Sequence, residues 1–295
     1  MDNVLYCVSF RDASENGEAV PELLTALGYD FSSRRDAETL ELIHTLYFKT
    51  GDDARNALQQ LQSMEETFRD LDIVIEKPIL SELRKEDWAE SWKIHFKPIE
   101  ISETLAVTPS WSDFHARPGQ HVIVLDPGMS FGTGQHAPTK FCLSRLDRFA
   151  AGHDVSRASM LDAGCGSGIL AIAAEKLGWG EIQAFDIDPD AVRIAGENAA
   201  ANGCSRIRFS TASLIEFNAR GRTFDVIAAN ILSSALLAGK DKLLSLLKVG
   251  GVLILAGILD KEYETVRSAF ESAGCRQVDT AEEKQWRGGA FVREK

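Results

Sequence analysis

Cysteine is scarce in this chain of 295 residues, and it is not arranged for a disulfide framework or a metal site. The five cysteines are odd in number and widely spaced, and no two of them form a C-x-x-C pair. This pattern fits neither a disulfide-rich scaffold nor a structural zinc site. We therefore predict no disulfides and no metal.

Long apolar stretches are also missing. The longest, Ile169–Ala174 and Val252–Leu259, are far shorter than the roughly 20 residues that a membrane span requires. The N-terminus has no basic segment followed by an apolar one, which is the mark of a secretory signal. From these features we expect a cytoplasmic protein that does not engage a membrane.

Positive charge is lacking in the first third of the chain. Residues 1–95 hold 10 Lys and Arg against 20 Asp and Glu, whereas the remaining residues hold 22 against 24, for a net charge of -12 overall. An acidic region of this kind repels phosphate backbones and attracts a basic partner, although a merely solubilising surface is the alternative. We expect no direct nucleic-acid binding.

The chain is long enough for two domains, and its apolar fraction of 44% is ordinary for a globular protein. In the N-terminal part, periodicity predicts strands at 4–10, 41–49 and 71–76, the last stopped by Pro78, and helices at 17–27 and 52–64. These elements form a small α+β, ferredoxin-like domain with its helices on one side of a sheet. Trp88 and Trp92 share a helical face in the segment that follows. We predict an N-terminal domain at 1–78, a connector at 79–100 and a second domain at 101–295.

The second domain shows regular strand–helix alternation. Two short strands, 105–109 and 121–125, come first. Strands then follow at 160–162, 182–186, 207–210, 225–229 and 252–255, with helices at 169–177, 189–201, 234–247 and 261–273 between and after them. Such alternation predicts a parallel sheet covered by helices on both faces. With a terminal hairpin at 276–279 and 290–293, this is an α/β Rossmann-like sheet of seven strands.

A glycine-rich loop, L-D-A-G-C-G-S-G at 161–168, lies where the first of these strands turns into a helix. Gly164 and Gly166 permit positive φ and let the backbone approach a ligand closely, and the helix that begins at Ile169 presents free N–H groups. The dinucleotide fingerprint G-x-G-x-x-G would require a glycine where this chain has Ile169. The loop therefore predicts a nucleotide-type cofactor and disfavours a nicotinamide oxidoreductase.

Two polar residues end strands of the same sheet. Asp186 lies 22 residues beyond Gly164, where a carboxylate can accept both hydroxyls of a ribose. Asp188 and Pro189, in contrast, are typical residues for starting a helix. Asn230 closes the fourth strand, and asparagine is a poor strand residue. We predict that Asp186 and Asn230 bind a ligand at the carboxyl edge of the sheet, and that residues 248–251 form a turn that touches no ligand.

These motifs resemble those of class I S-adenosylmethionine (SAM)-dependent methyltransferases, and more closely those of the bacterial ribosomal protein L-eleven methyltransferase family, PrmA. The resemblance covers roughly residues 80–260. It is carried by D-W-A-E-S-W-K at 87–93, P-S-W at 109–111, L-D-P-G-M-S-F-G-T-G at 125–134, D-A-G-C-G-S-G at 162–168, D-I-D-P at 186–189 and N-I-L at 230–232.

The resemblance implies that SAM is held by Thr139, Gly164, Asp186 and Asn230, and we place Gly166 of the glycine loop with them. It also implies an N-terminal domain that docks a basic ribosomal protein, and methylation of lysine ε-amines and an α-amine of that protein. One departure stands out: the family's F-G-T-G-T-H-P-T-T is here F-G-T-G-Q-H-A-P-T at 131–139. Substrate fit near Gln135 is therefore open.

Methyl transfer requires a neutral amine aligned with the cofactor. We expect Asn230 to orient that amine by hydrogen bonding, and His136 to serve as a base, with the alternative that His136 only ties down its loop. The tetrad at 230–233 is N-I-L-S rather than the N-P-P-Y of enzymes that methylate nucleobases or amides, which favours an aliphatic amine.

Two other functions are compatible with these residues. One is a SAM-dependent methyltransferase that acts on another protein or on a small amine. The other is a SAM-binding assembly factor with little catalysis. We expect a monomer, with a hinge near residues 79–100 as a further hypothesis.

Overall fold

Contacts divide the chain into two units, Met1–His95 and Phe96–Lys295. The computed structural model describes residues 4–14, 19–35, 42–64, 68, 73–84, 96–126 and 136–295. Trp88, Trp92 and the loop 127–135, which contains Gln135, lie outside the described residues. Within the described ranges, no helix is long and apolar enough to cross a membrane.

The first unit is a four-stranded antiparallel sheet, and its helices lie on one face of the sheet, as the sequence predicts. Its elements are β1 (Val4–Asp12), α1 (Ala19–Ala26), β2 (Phe31–Arg35), β3 (Leu42–Phe48), α2 (Gly51–Ser63) and β4 (Ile75–Arg84). The strand order is β2-β3-β1-β4. Val8 and Leu46 of the sheet pack with Leu24 of α1 and Leu61 of α2, so alternate strand residues form a common core. The polar segment that forms β2 is not predicted from the sequence.

The predicted end of the strand 71–76 at Pro78 is wrong, and residues 71–72 of that prediction lie outside the described residues. Strand β4 runs through Pro78 to Arg84, so residues 79–84 of the predicted connector belong to this sheet. Proline is tolerated here because β4 is an edge strand and because its ladder with β1 is irregular between Ser9 and Arg11, opposite Pro78. The remaining predicted domain boundaries stay predictions.

The second unit contains a small sheet and a large one. The small sheet consists of β5 (Ile99–Glu100), β6 (Leu105–Thr108) and β7 (His121–Val124), and is followed by α3 (Ala137–Gly152) and a 3-10 helix (Val155–Arg157). The large one is built from β8 (Ser159–Ala163), α4 (Ile169–Lys176), β9 (Glu181–Asp186), α5 (Pro189–Ala201), β10 (Ile207–Thr211), β11 (Phe224–Asn230), α6 (Ser233–Ala238), α7 (Lys240–Leu246), β12 (Leu247–Leu259), α8 (Asp260–Ser272), β13 (Cys275–Glu283) and β14 (Trp286–Arg293).

The large sheet has seven strands in the order β10-β9-β8-β11-β12-β14-β13. The first five are parallel, and β14 and β13 complete the sheet as an antiparallel terminal hairpin. Apolar side chains of the strands point alternately to two buried clusters, so that Met160 joins one and Leu161 the other. The predicted α/β sheet of seven strands, covered on both faces, is confirmed.

Three local features of this unit differ from the predictions. The helix predicted at 234–247 is divided into α6 and α7 at Gly239, a residue with low helix propensity. Strand β12 begins at Leu247, earlier than predicted. Residues 248–251, predicted as a turn, lie within its span, where the ladder skips from Leu247 to Val252. Helix α3 is not among the predicted elements.

Candidate active site

Asp186, Asn230 and the glycine loop converge at one edge of the large sheet. Strands β9, β8 and β11 are adjacent and parallel, so their carboxyl ends meet. Asp186 is the last residue of β9, Asn230 is the last residue of β11, and the glycine loop leaves β8 between them. A crevice outside the carboxyl ends of parallel strands is where open α/β sheets bind ligands.

The carboxylate of Asp186 is held by two backbone amides. Gly166 N–H donates to Oδ2 at 2.8 Å, and Asp188 N–H donates to Oδ1 at 3.1 Å. A carboxylate oxygen can accept more than one hydrogen bond, so both oxygens keep capacity for a ligand hydroxyl. The carboxylate of the half-buried Asp186 is therefore held in one orientation before a ligand binds.

The glycine loop packs too closely for side chains at its ends. Gly164, Gly166 and Gly168 have φ values of 78°, 51° and 79°. A Cβ at Gly164 would overlap Ile231 Cγ2, and one at Gly168 would lie 2.9 Å from the Cβ of Ala195. At its glycine positions the loop therefore presents only backbone atoms at the carboxyl edge of the sheet.

Asn230 contacts a residue far away in the sequence. Its side-chain Nδ2 donates to Thr139 Oγ1 at 3.2 Å, across 91 positions of the chain. Thr139 is buried, with 2% of its surface exposed, in the first turn of α3. The structure therefore brings two predicted site residues, Thr139 and Asn230, into direct contact.

His136 immediately precedes α3 and is exposed. Its backbone carbonyl accepts hydrogen bonds from the N–H groups of Thr139 at 3.0 Å and Lys140 at 3.1 Å. Its imidazole makes no capping bond to the helix. The imidazole of His136 thus lies at the start of α3, three residues before Thr139 in the sequence.

Asp162 is a buried carboxylate that is not among the predicted site residues. It lies in β8 and is 1% exposed; Oδ2 accepts the N–H of Ala171 at 3.1 Å, while Oδ1 is buried without a hydrogen-bond partner. Burial raises the pKa of Asp162 to about 7, and the negative charge of Asp186 adds to the shift. The signal that could have found it is a lone carboxylate within the apolar strand M-L-D-A.

The four cysteines of this unit are free and buried. Burial raises the pKa values of the Cys142 and Cys165 thiols, and the charge of Asp162 adds to both shifts. Among the described residues, no group of three His, Cys, Asp or Glu side chains could hold a metal ion. The polar groups found at this edge are backbone amides, the carboxylate of Asp186, the carboxamide of Asn230 and the hydroxyl of Thr139.

The sheet, its final antiparallel hairpin and the glycine loop beside Asp186 define an α/β methyltransferase. The family model of ribosomal protein L11 methyltransferase (PrmA) matches residues 20–293. The chain belongs to this family, which confirms the resemblance inferred from its motifs.

Similar proteins include the "Ribosomal protein L11 methyltransferase" of Pelobacter propionicus, 38% identical over 257 residues, which are 85% of this chain and 82% of that protein. The protein with the same name from Citrifermentans bemidjiense is 42% identical over 211 residues, 71% of this chain and 68% of that protein. A crystal structure of ribosomal protein L11 methylase from Lactobacillus delbrueckii subsp. bulgaricus aligns with a TM-score of 0.61 and 33% identity, over 68% of this chain and all of that one.

Membership of this family implies SAM as the cofactor. The residues present fit that group. Gly164 and Gly168 leave no room for side chains in the loop, and the carboxylate of Asp186 is held at the loop's rim. A cofactor with a ribose and an amino-acid moiety needs hydroxyl acceptors and an accessible backbone, and this edge offers both.

Proposed function

We propose that this protein transfers methyl groups from SAM to lysine ε-amino groups and the α-amino group of ribosomal protein L11. The observation that carries the proposal is the convergence of Asp186, the glycine loop and Asn230 at one sheet edge in a chain of this family. The relatives named above support L11 as the substrate.

Four residues of this site are proposed to hold the cofactor directly. The carboxylate of Asp186 accepts the ribose hydroxyls, Gly164 and Gly166 provide backbone contact, and Asn230 lies on the opposite side of the loop. Thr139, the fifth residue predicted to bind SAM, acts through its hydrogen bond with Asn230, because its own hydroxyl is buried. When bound, SAM supplies an electrophilic methyl group.

Asn230 is proposed to orient the acceptor amine. Its nitrogen is engaged by Thr139, so Oδ1 is the atom offered to an amine N–H. A lysine amine with a pKa near 10.4 must lose a proton before it attacks, and burial in the site lowers that pKa. His136, exposed three residues before Thr139, is the side chain we propose to accept the proton.

The N-terminal unit is proposed to dock the basic substrate. Residues 1–95 carry twice as many acidic as basic residues, and the exposed Asp52 and Asp53 lie in the first turn of helix α2. Opposite charge on the two partners favours encounter at moderate salt. We propose that the protein acts in the cytoplasm, since ribosomal proteins are made there. We also propose that it is a monomer and that it does not bind nucleic acid directly.

Intact-mass spectrometry tests the proposal. Purified protein, SAM and unmodified L11 are mixed, with Asp186→Ala as the inactive variant and Asp190→Ala, an exposed carboxylate of α5, as the matched control. We expect mass gains in methyl-sized steps with the wild-type protein and the control, and none with Asp186→Ala.

Two other outcomes would redirect the assignment. Binding of SAM by calorimetry with no gain on L11, but with gain on another protein or small amine, would assign a different acceptor. Binding with no transfer to any amine would favour an assembly factor.

A further inference from the structure

Strand β12 has an irregularity at the residue that pairs with Asn230. The parallel ladder pairs Asn230 of β11 with Ala256 of β12. On the other side of β12, the ladder with β14 shifts register between Leu255 and Ile258, which leaves one extra residue on β12. This is a β-bulge, and Gly257 lies within it at a φ of 78°.

From this arrangement we propose that Gly257 is a positioning residue that sets the placement of the Asn230 side chain. The inference rests on the proposed function, in which Asn230 Oδ1 orients the acceptor amine. Gly257 itself touches neither substrate nor cofactor; its contribution is the space left by its missing side chain.

The space around Gly257 is occupied by the Asn230–Ile231 segment. A Cβ at residue 257 would lie 2.7 Å from the backbone oxygen of Ile231 and 3.0 Å from Asn230 Oδ1. The first atom belongs to the backbone of Ile231, the residue that follows β11, so it cannot swing aside as the end of a flexible side chain would. A methyl group at this position must therefore displace the segment that carries Asn230.

Asn230 is also fixed from its other end. Nδ2 donates to Thr139 Oγ1 at 3.2 Å, while Oδ1 lies where a Cβ at residue 257 would be only 3.0 Å away. The planar carboxamide of Asn230 is thus held between the hydroxyl of Thr139 and the backbone of Gly257. A displacement at Oδ1 is transmitted to the nitrogen and weakens its hydrogen bond to Thr139.

The same strand supplies a matched control. Gly250 of β12 has a φ of 79°, almost equal to that of Gly257, but a Cβ there would meet no atom within 4 Å. Replacing either glycine by alanine imposes the same kind of backbone strain. Only the Gly257 variant adds a contact with Asn230 and Ile231, so the difference between the two variants isolates that contact.

The experiment compares Gly257→Ala with Gly250→Ala in the full-length protein. The side-chain amide NMR signal of Asn230 is observed after selective ¹⁵N-asparagine labelling and is assigned by its loss in Asn230→Asp. We expect this signal to shift in Gly257→Ala and to stay in place in Gly250→Ala. We also expect kcat on L11 to fall about 10- to 100-fold in Gly257→Ala, because small misplacements of an orienting group have effects of that size. Affinity for SAM should fall less, since Asp186 and the glycine loop are unchanged.

An unshifted Asn230 signal in Gly257→Ala, or equal effects of the two alanine variants, would overturn the inference. If Gly257→Ala does not fold, Gly257→Asn and Gly250→Asn replace the pair, because asparagine tolerates positive φ better than alanine. If the wild-type protein does not methylate L11, the proposed function fails. The NMR comparison still decides whether Gly257 places the Asn230 side chain.

Discussion

Thr139 and Asn230 are 91 residues apart, yet the hydroxyl of the first accepts a hydrogen bond from the side chain of the second at 3.2 Å. Thr139 belongs to a helix that precedes the large sheet in the chain, and Asn230 ends a central strand of that sheet. The contact holds the carboxamide by its nitrogen, and the carboxamide oxygen lies close to Gly257 of β12. Three elements distant in sequence, α3, β11 and the bulge of β12, therefore determine the placement of one functional group.

Removal of the Thr139 hydroxyl should release Asn230. Thr139→Val keeps the shape but not the acceptor, so we expect a loss of about 1 kcal/mol in the free energy of unfolding. For a protein of this size that loss corresponds to about 2–4 °C in Tm. The fall in kcat should exceed the loss in SAM affinity. Thr139→Ser retains the hydroxyl and is the control; equal behaviour of the two variants in calorimetry and kinetics would contradict a role for this hydrogen bond.

Removal of the Asp186 carboxylate should weaken the cofactor complex. A carboxylate that accepts ribose hydroxyls contributes roughly 2–4 kcal/mol. Asp186→Ala should therefore lower SAM affinity about 30- to 1000-fold in titration calorimetry. Asp190→Ala removes an exposed carboxylate of the neighbouring helix and should leave the affinity unchanged. Normal binding by Asp186→Ala would mean that the cofactor lies elsewhere.

Asp162 should make stability depend on pH in the absence of cofactor. Its pKa is raised to about 7 in the folded protein by burial, and is near 4 in an unfolded chain. Between these values the folded state binds a proton that the unfolded state has lost, so the contribution of Asp162 to stability declines as pH rises from about 4 to about 7. Asp162→Asn cannot titrate. Urea denaturation of both proteins across this range should give a difference in unfolding free energy that changes with pH, and parallel curves would refute the assignment.

Gly164 should tolerate no side chain while Ile231 is present. A Cβ at residue 164 overlaps Ile231 Cγ2, whereas one at Gly203, with a φ of 70°, meets nothing within 4 Å. Gly203→Ala should therefore show only the backbone strain, about 1–2 kcal/mol, and Gly164→Ala should lose more stability and SAM affinity. The double variant Gly164→Ala, Ile231→Ala removes the overlapping methyl group and should recover part of the stability in thermal denaturation. No recovery would show that the overlap is not the cause.

Local sequence patterns were sufficient to predict much of the fold and of the candidate site. The strand–helix alternation after residue 159 predicts the parallel sheet, because each strand and helix has its own hydrophobic period. The spacing of the glycine loop and Asp186 predicts which edge is functional, because parallel strands that follow one another along the chain bring their carboxyl ends together. The polar strand β2 and the passage of β4 through Pro78 were not predictable in this way, since edge strands follow weaker rules.

The class of fold, the family and the identity of the polar residues at the carboxyl edge follow from short motifs and from periodicity, both of which are present in the amino-acid sequence. Three relationships become visible only in the folded chain: Thr139 contacts Asn230, Asp162 is buried with an unpaired oxygen, and Gly257 faces Asn230 Oδ1. These relationships arise from helix packing, strand register and a β-bulge. Each depends on residues distant in sequence, and no local pattern contains that information.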